Sequence, residues 1–266
     1  MAIDLNAIRK KLGQLSGQNS KKNVMWRPEE GTETTIRLIA YPNNEGQPFK
    51  ELMFYYNIGN NRGILAPYQF GKPDPFQELI TKLRDEASKE SYELAKKLYP
   101  KMRCYAPVIV RGEEDKGVRL WAFGKQIYQS LLNYMLDEDY GDITDPTDGR
   151  DVKIICTKTP GQRWATTEVR PRGKSTPLSE NQSTSKEWLD NIPDVNDLFE
   201  LKTYQELENI INAWLDGDDE EASQETTRGG NYNQTQQTKT NDDSPDAIAG
   251  KYQSLDDAFA SLDSMD

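Results

Sequence analysis

The chain has 266 residues, with 33 Lys+Arg against 44 Asp+Glu and a formal net charge of −11. It contains no histidine, which excludes His general bases, Ser-His and Cys-His nucleophile pairs and His metal ligands together. The two cysteines, Cys104 and Cys156, lie in strand-like segments and read as small buried hydrophobes of a reducing compartment rather than as a disulfide.

Charge is sorted along the chain. Residues 1–174 hold 28 Lys+Arg against 23 Asp+Glu, residues 175–215 hold 2 against 8, and residues 216–266 hold 3 against 13. The acidity thus sits behind a mildly basic body, an asymmetry that points to a polyanionic partner such as nucleic acid.

In chain order, Ile3, Leu5, Ile8, Leu12 and Leu15 recur at near-helical spacing, with Arg9, Lys10 and Lys11 on the other face and a polar linker after them. Residues 1–23 therefore read as a flexible basic arm. Nothing in this arm resembles a signal peptide and no segment is long enough to span a bilayer, so a soluble, intracellular protein is expected. From residue 24 to 215 the pattern is that of one core. Strands are predicted at 35–40, 52–58 and 64–68, with one of the adjacent Tyr55 and Tyr56 buried and the other exposed. Asp74-Pro75 caps one or two helices ending at Pro100. Strands at 104–111 and 118–123 form a hairpin, 124–136 reads as a helix, and strands follow at 152–158 and 163–170. The Asp-rich loop 137–151 lacks the ligand order of a calcium loop and reads as a solvated turn. Thr203 to Glu206 spells a capping box opening a helix at 204–215. Residues 216–266 read as a disordered acidic tail, ending in an amphipathic segment of Leu255, Ala258, Phe259, Leu262 and Met265 that could fold on a partner. The fold class is α+β with a mainly β core, a small barrel or sandwich.

Sequence-tolerant binding of single-stranded nucleic acid needs cations for phosphates and rings on which bases stack. The core interleaves both, around the central hairpin and again near residues 153–174. The candidates are Tyr99, Arg103, Tyr105, Arg111, Arg119, Trp121, Lys125, Lys158, Arg163, Trp164, Arg170 and Arg172, with Lys153 and Lys174 in the second cluster. Period-two alternation predicts one ribbon face carrying Arg103, Tyr105, Arg119 and Trp121. Trp164 is the strongest candidate ring, because its neighbours are polar. No phosphate loop and no compact acidic motif is present, so no catalysis is expected. The competing readings are an adaptor acting through its acidic tail and, far behind, a metal-dependent nuclease.

The order of features resembles the helix-destabilising single-stranded-DNA-binding proteins of T-even-type tailed bacteriophages. The resemblance is carried by Thr35-Ile36-Arg37-Leu38 with Pro48-Phe49, by Cys104 to Val110 with Gly117-Val118, and by Phe123-Gly124-Lys125-Gln126-Ile127-Tyr128. The acidic, partly apolar terminus from Ser254 to Asp263 is similar as well. The resemblance implies an OB-fold-like barrel with inserted helices, binding single-stranded DNA cooperatively during phage replication, recombination and repair. It also implies self-association through Arg9, Lys10 and Lys11, recruitment of replication and recombination proteins by the tail, and location in the cytoplasm of an infected host cell. Members of that family often hold zinc through one His and three Cys. The corresponding segment here, residues 63–79, has neither residue type and reads Pro73-Asp74-Pro75-Phe76-Gln77. No metal or other cofactor is therefore expected, and apolar packing of Phe70, Phe76, Leu79 and Ile80 is expected to hold the segment.

Overall fold

The computed structural model describes residues 24–217 except 62, 87 and 163. The basic arm with Arg9, Lys10 and Lys11, the acidic tail beyond 217 and Arg163 lie outside the described residues. In chain order the strands are β1 (Met25–Trp26), β2 (Glu33–Leu38), β3 (Lys50–Tyr55), β4 (Ile64–Leu65), β5 (Lys101–Val110), β6 (Arg119–Phe123), β7 (Arg150–Thr157) and β8 (Thr166–Ser175). The helices are α1 (Pro75–Asp85), α2 (Lys89–Leu98), α3 (Lys125–Leu136), α4 (Gln182–Asp190) and α5 (Tyr204–Leu215). The class is α+β with a mainly β core. The described residues divide into two compact units, one of 24–52 plus 102–199, the other of 53–101 plus 200–217.

The first unit is built on the strand order β1-β6-β5-β2-β7-β8. One face of this sheet buries Ile36, Leu38, Val108, Trp121, Phe123, Val152, Ile154 and Val169 beneath Tyr128 and Leu131 of α3. Helical spacing predicts a stripe of Ile127, Leu131, Leu132 and Met135 on this helix; Leu131 is buried as predicted, the other three are partly buried, and Tyr128, outside the stripe, is buried in their place. The other face is covered over part of its width by Leu178 and by Trp188 of α4, which pack on Ile39 and Ile109. Helix α4 is not visible as a periodic pattern, because Trp188 and Leu189 are its only large apolar residues. Asn181 starts it by accepting a hydrogen bond from the Ser183 N–H at 2.9 Å.

Fully buried Arg37 organises the Asp-rich loop. Its guanidinium donates to the Asp145 carbonyl at 2.6 Å and to Thr176 Oγ1 at 3.3 Å, and lies 3.9 Å from Asp151. Asp151 also receives two bonds from Arg111, at 2.8 and 3.0 Å. The solvated turn expected over 137–151 is thus a loop tied to the sheet. Gly149 is required there, since a Cβ at this position would come within 2.5 Å of the Asp145 carbonyl oxygen and 2.6 Å of Arg37.

The second unit packs α1, α2 and α5 with the β3–β4 hairpin. The stretch predicted as one or two helices is two, the first ending at Asp85 and the second starting at Lys89. Asp74 caps α1 with Pro75 at its first position, Ser88 caps α2, and Thr203 with Glu206 forms the predicted capping box of α5. Of the adjacent tyrosines, Tyr55 is the buried one. Its ring stacks on Phe76 at 4.4 Å, and its hydroxyl donates to Asp74 Oδ2 at 2.8 Å.

The segment 63–79 is held by three of the four apolar side chains expected. Phe76, Leu79 and Ile80 are buried, but Phe70 is 43% exposed. The loop is organised as well by buried Asp74, whose two oxygens accept from Tyr55 Oη and from the N–H groups of Tyr68 and Phe76. This donor set does not fit zinc. It has no thiolate or imidazole, and both Asp74 oxygens are already engaged. Among the described residues no cluster of three or more His, Cys, Asp or Glu is placed to hold a metal.

Candidate nucleic-acid interface

Antiparallel partners share a face, so the register decides which candidate side chains stand together. In the central hairpin Tyr105 is opposite Ala122, whereas Trp121 is opposite Ala106 and Arg119 opposite Val108. Tyr105 and Trp121 therefore lie on opposite faces of the ribbon, and the single face of two rings and two cations does not form. Both rings are in the core, Tyr105 at 4% exposure against the edge of Phe199 and Trp121 at 2% against Trp26 and Phe123. The alternation argument failed because this hairpin is sandwiched. From Cys104 to Val110 every residue is buried, so period two no longer separates core from solvent. Arg119 is also buried, 2.5 Å from Glu113. Among the candidates, Tyr105, Trp121 and Arg119 are thus structural.

The remaining candidates fall in several places. Tyr99 belongs to the second unit, where it packs on the apolar core. Arg103 and Lys125 are exposed at the entry to α3, the Arg103 guanidinium lying 3.8 Å from where a Cβ on Gly124 would be.

The other group lies on the sheet face opposite α3, where α4 does not reach. The Arg111 N–H bonds the Thr35 carbonyl at 2.9 Å, Thr35 is the partner of Lys153, and Lys153 is the partner of Arg170. The result is a row of Arg111, Thr35, Lys153 and Arg170 across β2, β7 and β8, with strands about 4.8 Å apart. Arg172 joins it by donating to Thr35 Oγ1 at 3.2 Å. Beyond one end of the ribbon lies the β7–β8 loop, with exposed Lys158 and with Trp164 at 73% exposure. An indole this open is costly to solvate and suits a surface that meets a flat partner. Lys174 is exposed further along β8. Sequence reasoning found these cations and Trp164 but not Thr35, whose place in the row follows only from the register.

Carboxylates sit among these cations. Arg111 is held by Asp151, Lys153 lies 2.5 Å from Glu33, and Lys158 lies 2.9 Å from Glu30. Arg170 binds both oxygens of Glu168, at 2.7 and 2.9 Å. Hydrogen bonds from Arg170 hold the Glu168 carboxyl below the usual carboxylate range. Exposed pairs of this kind are weak because water and salt screen them, so a phosphate can exchange for the carboxylate at small cost. Arg111 is the exception. It is half-buried and also donates to the Leu178 carbonyl at 3.0 Å, which makes it an anchor for the covering segment.

A mainly β core that leaves one sheet face open, with a row of cations and an exposed indole beside it, has the make-up of a DNA-binding protein. The particular kind is given by comparison: residues 30–215 match the family model described as gp32 DNA binding protein like, and the chain belongs to that family of gp32-type single-stranded-DNA-binding proteins. Comparison with curated proteins gave no match. Among the described residues no helix is long and apolar enough to cross a membrane.

Proposed function

We propose that this protein binds single-stranded DNA cooperatively and without sequence preference, holding strands open during phage DNA replication, recombination and repair. The observation that carries the reading is the row of Lys153, Arg170 and Arg172 on the open sheet face, beside Trp164 and Lys158. Cations at strand spacing suit the phosphates of an extended chain, and an indole suits any base, because every base has a π-face. Arg103 and Lys125 extend the positive surface at the entry to α3.

The arm bearing Arg9, Lys10 and Lys11 mediates contacts between neighbouring copies on the strand. The acidic tail recruits replication and recombination proteins, and it competes with DNA for the basic face until DNA displaces it. No bond is made or broken, and the work is done in the cytoplasm of an infected host cell. The reading is tested by titrating the full chain with oligo-dT while following intrinsic tryptophan fluorescence. Quenching by oligo-dT at much lower concentrations than by duplex of equal length is expected. Equal response to both, or none, would refute it.

A further inference from the structure

We infer that the cleft between α3 and β8 is a base-binding subsite, taking unstacked nucleobases of a strand whose phosphates follow the cationic row. This rests on the reading of the function given above. The cleft has a volume of about 610 Å³, within the range of roughly 300–1,000 Å³ usual for preformed small-molecule sites. One wall is α3, with Ile127, Ser130 and Tyr134, and the other is β8 with Thr167 and Val169. Apolar side chains alternating with hydroxyls suit a flat heteroaromatic ring that carries donors and acceptors on its edge. Among the described residues β8 pairs only with β7. Its other edge therefore turns backbone N–H and C=O groups outward, donors and acceptors that serve any base.

The walls are fixed before a ligand arrives. Tyr134 meets Tyr140 edge-on, with centroids 5.3 Å apart at 74°, and the Arg150 guanidinium lies 5.6 Å over the Tyr140 ring. Arg150 also donates to the carbonyls of Asp139 and Tyr140 after α3 and to those of Arg172 and Gly173 on β8. One side chain thereby ties the end of α3 to β8, and a site so preorganised loses little order on binding.

The cleft also has the right neighbours. Trp164 directly precedes its first β8-side residue, Ala165, and exposed Lys125 directly precedes its first α3-side residue, Gln126. Glu168, between Thr167 and Val169, turns its carboxylate to the other face of β8, where Arg170 holds both oxygens and offsets the charge that would repel DNA. Successive residues of a strand point to opposite faces. Thr167 and Arg170 therefore set a base site and a phosphate site on the two sides of one strand.

Filling the cleft tests the inference. Full-length Ser130→Trp and Ala165→Trp are titrated against labelled oligo-dT over a salt series, beside wild type. The expected result is an affinity lower by about tenfold or more, the loss of one base contact, with the salt slope and Tm unchanged because the phosphate row is intact. Wild-type affinity in both variants would overturn the subsite while leaving DNA binding standing. Failure of the wild type to bind would overturn the function itself. Should a variant misfold, photo-cross-linking of wild type to oligo-dT carrying 5-iododeoxyuridine decides the matter. Adducts within 126–134 or 165–169 are expected, and adducts confined to other segments, Trp164 and Lys125 included, would overturn the subsite.

Discussion

Replacing Trp164 with alanine separates a binding ring from a structural one. A fully buried aromatic side chain removes about 150–250 Å² from water. Trp164 is 73% exposed, so it removes roughly 40–70 Å². At about 25 cal/mol per Å² the stability loss is no more than about 1–2 kcal/mol, and extended-chain areas make that an upper value. Trp121→Ala, by contrast, empties a core site and should cost about 3–5 kcal/mol. For binding the order reverses. Loss of a stacking ring costs about 1–3 kcal/mol per base, or roughly 5- to 150-fold in Kd. Of the five tryptophans, Trp26, Trp121 and Trp188 are buried and Trp214 is half-buried, so Trp164 should supply most of the quenching by oligo-dT. The assay combines denaturant melts with fluorescence and anisotropy titrations on wild type and Trp164→Ala. Wild-type affinity and undiminished quenching in the variant would refute the assignment of this ring.

Glu168→Gln releases Arg170 and should tighten oligo-dT binding by up to about fivefold at neutral pH, the scale of one surface pair. Because Arg170 depresses the Glu168 pKa, the pair persists above the ordinary glutamate range and is lost as pH falls through the lowered value. The wild type should therefore gain affinity on acidification and the Gln variant gain less; identical pH profiles would refute the coupling. Asp74→Ala removes a helix cap and strands the buried Tyr55 hydroxyl, costing roughly 2–4 kcal/mol in a urea melt. A loss below about 1 kcal/mol would mean that Asp74 does not organise the loop. EDTA should leave both Tm and DNA affinity unchanged, since this segment has no thiolate or imidazole and its Asp74 is already engaged; a fall in either would contradict that. Deleting residues 216–266 should raise affinity and let binding persist to higher salt, and equal affinity in the two chains would rule out tail competition.

Local signals were legible where one mechanism dominates. Asp74-Pro75 and the Thr203–Glu206 box mark real helix starts because a cap is a matter of a few adjacent residues. The α3 stripe was legible in part: Leu131 is buried as its spacing predicts, while the burial of Tyr128 depends on Phe49 and Phe123, which are distant in sequence or on the sheet. The site was only half legible. Trp164 and the 153–174 cations stand out by composition, but their grouping depends on the pairing of β2, β7 and β8, which no local pattern encodes. The same dependence misplaced Tyr105 and Trp121, whose hairpin is covered on both faces by segments distant in sequence, including Phe199 and the α4 region. Arg37 and Asp151 look like surface charges in sequence, and only the fold shows that they bind the Asp-rich loop to the sheet.

The central claim is that single-stranded DNA lies on the open face of β2, β7 and β8, and salt dependence tests it most directly. The measurement is the affinity of the full chain and of a Lys153→Ala/Arg170→Ala/Arg172→Ala variant for labelled oligo-dT across a salt series. Each phosphate contact contributes about −0.7 to the slope of log K against log salt. The account predicts that the triple variant loses roughly 2 units of slope, along with affinity, while keeping its fold. An unchanged slope in a folded variant would contradict it and place the phosphates elsewhere on the chain.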